Sequence, residues 1–213
     1  MDLLRDIHSG LEPPVKYSKI SFIRGSYSYY HYLCDKTDDK GWGCGYRTLQ
    51  TICSWIIEQQ KQKRFMKVPS IKEIQRALVE IGDKEDDFIE SKEWIGTVEV
   101  AYVIDHIYEI PCRIMHNRSL KDLKDQANNI LQHFEEYGSP IMMGGDRDCS
   151  SKGILGICEN QDEIYLLILD PHFCGKAVSK KFLQETGWIT WQNINSLDHS
   201  SFYNLCCPLI KTS

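Results

Sequence analysis

Apolar residues recur at three- and four-residue intervals in four stretches of the chain. Tyr46, Leu49, Ile52, Cys53, Ile56 and Ile57 describe one face of a helix from about Cys44 to Gln60. Ser70-Ile71-Lys72-Glu73 reads as a capping box, and Ile71, Ile74, Leu78 and Ile81 carry a second helix to a stop at Gly82. Trp94 to Tyr108 forms a third, with Val98, Tyr102, Ile104 and Ile107 as its apolar positions. Ser119 caps a fourth, whose stripe of Leu120, Leu123, Ala127, Ile130, Leu131 and Phe134 runs to Gly138. Elsewhere the pattern is extended. Tyr17, Ile20 and Phe22 lead into the tyrosine run Tyr27, Tyr29, Tyr30 and Tyr32, read as strand or extended chain. Cys112–Met115, Pro140–Met143, Ile154–Cys158, Ile164–Leu169, Trp188–Trp191 and Phe202–Cys207 read as strands, and Lys180–Glu185 as a helical turn. Ile164–Leu169 is apolar throughout, as expected of a strand covered on both faces. Helices come first and strands later, so the class is α+β. Residues 1–16, with Gly10 and Pro13-Pro14, read as a flexible N-terminal lead-in, and residues 17–213 as a single domain. Lys61 to Lys67 reads as the solvated, basic end of the first helix.

Composition narrows the class of function. At 42% hydrophobic and 26% charged, 213 residues can bury a substantial core. A net charge of -5 argues against a nucleic-acid or anionic-membrane partner, since both require a basic surface. No apolar run has the length of a membrane span, and the first residues lack the pattern of a secretory signal. Nine scattered cysteines without a Cys-x-x-Cys pair indicate neither a zinc ribbon nor a redox pair. A cytoplasmic, reduced, monomeric protein without metal or cofactor is the expectation.

Against that background one cysteine stands out. Cys44 sits between Gly43 and Gly45, in the first turn of the first helix. Free N–H groups and the positive end of the macrodipole favour thiolate there, and thiolate is the reactive form. Such a nucleophile needs a base, and the base an orienting partner. Of seven histidines, His8 lies in the lead-in, His133 on the exposed side of a charged helix, and His199 in a polar loop. His106 and His116 have no carboxylate neighbour that suggests a role beyond packing, whereas His31, within the tyrosine run, is harder to set aside. His172 differs, because the apolar strand ends in Asp170-Pro171-His172. Residues two apart on an extended chain share a side, so the Asp170 carboxylate can select the His172 tautomer. A helix N-terminus laid against a sheet is how papain-like proteases pair thiolate with imidazolium. A tyrosine hydroxyl preceding Cys44 could serve the oxyanion, but spacing alone does not separate Tyr29, Tyr30 and Tyr32.

Gly41-Trp42-Gly43-Cys44-Gly45-Tyr46-Arg47 and Asp170-Pro171-His172 together resemble the two motifs of the ubiquitin-fold-modifier-specific cysteine proteases. The likeness extends through Trp94-Ile95-Gly96 and Met143-Gly144-Gly145-Asp146 to Phe202-Tyr203-Asn204-Leu205, and is closer to the short, catalytic-domain-only members. It implies a papain-like fold, with the cysteine helix packed on a mostly antiparallel sheet. It further implies Cys44 as nucleophile, His172 as base, Asp170 as orienting acid and Tyr32, twelve positions before Cys44, as oxyanion donor. The reaction implied is hydrolysis after the modifier's C-terminal glycine, maturing the precursor and freeing the modifier from lysines. A narrow slot for that tail is expected from Gly43, Gly144 and Gly145, roofed by Trp42 and Trp94. Asp146 would either hold its loop or bind the tail. The competing class is an inactive module that grips a ubiquitin-like protein without cutting it.

Overall fold

The structure, a computed structural model, describes residues 3–60, 66–147, 150–161, 163–176 and 179–211. Residues 61–65 of the basic stretch after the first helix lie outside the described residues.

Among the described residues seven strands form one sheet in which every pairing is antiparallel. They are β1 (Lys19–Phe22), β2 (Cys112–Asn117), β3 (Ile141–Gly145), β4 (Ser151–Asn160), β5 (Glu163–Leu169), β6 (Ile189–Asn193) and β7 (Tyr203–Pro208). The order is β2-β7-β3-β4-β5-β6, with β1 beside the second half of β4. A register shift between Ile154 and Gly156 marks where β4 exchanges β3 for β1 as its neighbour. Leu166 to Leu169 of β5 are all buried, as their unbroken apolar pattern requires.

The first helix, α1 (Cys44–Gln59), crosses the core rather than lying on it. Every residue from Cys44 to Ile56 is buried, including Arg47, Thr48, Gln50, Thr51 and Ser54. Those polar side chains explain the tyrosine run, which is extended but forms only one bridge, Ser28 to Arg5. Several of its N–H groups bond to side chains instead of a ladder. Ser28 N donates to Ser54 Oγ (2.9 Å) and Tyr30 N to Thr51 Oγ1 (3.1 Å). The run is thereby laid along the polar side of α1, and Tyr32 N reaches Pro171 O at 3.0 Å.

Four departures from the sequence reading have physical reasons. The capped helix α2 (Ile71–Glu80) is as expected, but α3 (Thr97–Tyr108) starts at Gly96, whose N–H donates to Glu99 at 2.9 Å. Its buried side is Val100, Val103, Ile104 and Tyr108, while Val98 and Tyr102 are exposed. The fourth helix is two, α4 (Leu120–Asp125) and α5 (Ala127–Glu136), joined by one tighter turn at Gln126. The buried stripe continues across that turn, so periodicity does not reveal it. His133 is buried, not exposed: Nε2 lies 3.1 Å from Ser139 O, which can only accept, and burial lowers the ring's pKa to about 4. Finally, part of the lead-in is docked. Ile7 is fully buried, Asp6 N donates to Tyr27 O (3.1 Å), and Gln184 of α6 (Lys180–Glu185) donates to Ile7 O at 2.7 Å.

Candidate active site

Cys44 opens α1, where the capping position is a glycine without a side chain and the first turn holds no acidic residue. The positive end of the dipole is therefore left to the sulfur. Gly45 is required for close approach, because a Cβ there would collide with the Ile95 carbonyl oxygen. That contact sets the extended segment Trp94–Gly96 beside the helix start.

The partner comes from the other end of the chain. After β5, Asp170 N bonds Trp188 O at 2.9 Å, and Asp170 Oδ1 accepts both His172 N (2.9 Å) and His172 Nδ1 (2.6 Å). A carboxylate holding Nδ1–H leaves the second ring nitrogen to serve the sulfur, and His172 and Cys44 act on each other's ionisation. Burial opposes the Cys44 thiolate, but the His172 ring, as donor and as charge, and donors from Ser151 outweigh it and hold the thiol below its ordinary value. Burial also opposes the imidazolium, yet the bonds to Asp170 and Cys44 lift His172 to about 9. Asp170 is kept below the usual carboxylate range: burial pushes it up, and the His172 bonds and the Lys152 charge pull it further down. The three directions agree. They favour a thiolate–imidazolium pair with a third, ionised member.

Tyr32 completes the group. Its ring stands edge-on to His172 at 5.1 Å, and burial followed by the Cys44 charge keeps the hydroxyl protonated. Tyr29 is occupied elsewhere, its hydroxyl donating to Asp170 O at 2.5 Å. His31 is structural, with Nδ1 between Tyr32 O (2.9 Å) and Phe173 O (3.2 Å).

A cleft of about 250 Å³ leads to the sulfur, lined among others by Trp94, Gly144, Gly145, Asp146 and Ser151. Asp146 lies on it but also braces its loop, since Oδ1 accepts from Ser201 Oγ (2.8 Å) and Phe202 N (2.9 Å). Trp42 and Gly43 are not brought to this cleft. The Trp42 indole donates to Asp38 O at 3.2 Å, packs on Tyr46, and borders a separate depression with Ile71 and Gln75. Gly43 makes room for the Asp39 carboxylate, which any Cβ at 43 would strike. Two residues escaped the sequence reading: Ser151, which bonds the sulfur, and Lys152, whose Nζ is 3.4 Å from Asp170 Oδ2. Their one sequence signal is the polar run Asp146–Lys152 between two apolar strands. Among the described residues no group of three or more His, Cys, Asp or Glu is placed to hold a metal ion.

The profile of peptidase family C78 matches residues 18–206. The chain belongs to peptidase family C78. It is a cysteine protease of papain-like architecture, with the cysteine helix packed on an antiparallel sheet. Among its relatives, Ufm1-specific protease 1 of Mus musculus is 43% identical over 209 residues, which cover 97% of this chain and 94% of that protein. Probable Ufm1-specific protease 1 of Drosophila melanogaster is 42% identical, covering 97% and 87% respectively. The crystal structure of UfSP from C. elegans superposes on this C78 peptidase with a TM-score of 0.81 at 31% identity, covering 99% of this chain and 38% of that one.

Proposed function

We propose that this C78 peptidase hydrolyses the bond after the C-terminal glycine of the ubiquitin-fold modifier Ufm1, in its precursor and in lysine conjugates. Cys44 on the wall of the cleft, with His172 beside it and held at Nδ1 by Asp170, carries the reading. The relatives' names supply the substrate. In this mechanism the Cys44 thiolate attacks the glycyl carbonyl carbon, and the Tyr32 hydroxyl donates to the oxygen as it becomes negative. His172 gives its proton to the departing amine, leaving a thioester. It then takes a proton from water, which attacks the thioester and releases the glycine carboxylate and the thiolate. Every one of these groups belongs to a single chain, which supports action as a monomer. The eight described cysteines are all free, which suits the reducing cytoplasm. No helix among the described residues is long and apolar enough to cross a membrane.

A Ufm1 carrying an electrophile in place of its C-terminal carboxylate tests the reading directly. One adduct per chain is expected, mapped to Cys44 by mass spectrometry, with no adduct from a ubiquitin probe. Binding without an adduct, or an adduct on another cysteine, would instead identify a module that grips the modifier without cutting it. Tyr32→Phe should lower kcat on the order of 10²-fold while leaving KM nearly unchanged, because the hydroxyl acts on the transition state. An equal rise in KM would assign Tyr32 to packing.

A further inference from the structure

We propose that Arg47, with Asp35 and Asp39, is a positioning device that fixes the Tyr32 hydroxyl over Cys44. The inference rests on the reading of Tyr32 as oxyanion donor. Tyr32 and Cys44 are joined by an irregular loop in which Leu33 (φ 60°), Lys36 (φ 73°) and Gly41 (φ 80°) all take left-handed backbone. Two of these are not glycine, and such conformations persist only where surrounding contacts over-determine them. Arg47 supplies those contacts from one turn inside α1. Its side chain is wholly buried, with Nε 2.7 Å from Asp39 Oδ2 and its two terminal nitrogens 2.7 and 2.8 Å from the two Asp35 oxygens.

Asp39 then reaches both ends of the loop. Its second oxygen, Oδ1, accepts from Leu33 N at 2.8 Å, next to Tyr32. Its backbone carbonyl accepts from Gly43 N at 2.8 Å, next to Cys44. The missing side chain at Gly43 is what admits the Asp39 carboxylate. One guanidinium thus locks the neighbours of two reacting residues to the same helix. Burying such an ion group is a poor source of stability, since desolvation offsets much of the attraction. It is a good source of geometry, because the planar fork tolerates only one arrangement.

The test places Arg47→Lys, which keeps the charge and loses the fork, and Asp35→Asn, which alters the half-exposed partner, in wild-type and Tyr32→Phe backgrounds. Arg47→Lys should lower kcat by about 30-fold with KM within about twofold, as a displacement of about an ångström does. In the Tyr32→Phe background the same change should cost less than about threefold, because the group it positions is gone. Asp35→Asn should show the same coupling with a smaller loss. The pH dependence of Cys44 alkylation should move no further than Tyr32→Phe alone moves it, since the His172 partner is held by β5. Equal losses in both backgrounds, or an alkylation profile shifted beyond that of Tyr32→Phe, would overturn the clamp while leaving Tyr32 in its role. A Tyr32→Phe variant with full kcat would overturn that role, and the clamp's purpose with it.

Discussion

Cys44→Ser should reduce turnover of a Ufm1-tail substrate on the order of 10⁶-fold, the scale of removing a catalytic nucleophile. Two losses combine. A hydroxyl at the start of α1 ionises far less readily than a thiol, so the helix dipole and the Ser151 donors that favour thiolate have no anion to hold. The base is also in the wrong state. His172, lifted to about 9, is already protonated at neutral pH, which suits a partner that is already a thiolate. A serine would need a neutral imidazole to take its proton, and Asp170 holds that ring charged. The fold should survive, because one atom changes at a site with a cleft before it. Affinity for the modifier should therefore stay within about threefold, as expected when only transition-state interactions are removed. Single-turnover kinetics and a binding titration on the same preparation check both halves. Activity above about a thousandth of wild type would mean that another nucleophile serves.

The two halves of this site were legible because each is local. A glycine-flanked cysteine at the start of a periodic run and an Asp-x-His at the end of an apolar strand are short patterns that suggest their chemistry when read together. What joins them is not local, and there the sequence is silent. Ser151 and Lys152 act on Cys44 and Asp170 only because β4 lies between β3 and β5. Trp42 illustrates the opposite error: adjacent in sequence to the nucleophile's glycine, it turns to Tyr46 and Asp38. His133 shows why an apparently exposed helix position misleads, since the helix alone does not reveal that Ser139, itself bonded to Pro208 O, meets its ring. In α3 the sequence reading chose Val98 and Tyr102, whereas packing against α2, β2 and β7 buries Val100 and Val103. The α+β class and the central strand were readable because periodicity and burial there coincide.

Asp170→Asn should keep the fold and lose turnover on the order of 10⁴-fold, the cost when an orienting carboxylate becomes an amide. The amide can still accept from the His172 backbone N–H, so the strand end should remain in place. At the ring, however, it can present either an acceptor or a donor, and a donor towards Nδ1 reverses the tautomer the sulfur requires. The pH profile separates this from simple misfolding. In the wild type the ion pair persists until pH rises through the His172 value of about 9, which sets the basic limb of activity. Without the Asp170 charge the imidazolium is less favoured, and Lys152, left with no anion at 3.4 Å, disfavours it further. The basic limb should therefore move to lower pH. The Cys44 thiolate loses part of its counter-charge at the same time, so alkylation by iodoacetamide should need a higher pH to reach half its maximum. The two shifts have opposite signs because they belong to the two members of one pair. A variant that loses activity with both profiles in place would assign Asp170 to shaping the strand end, and the orientation of His172 would have to come from elsewhere.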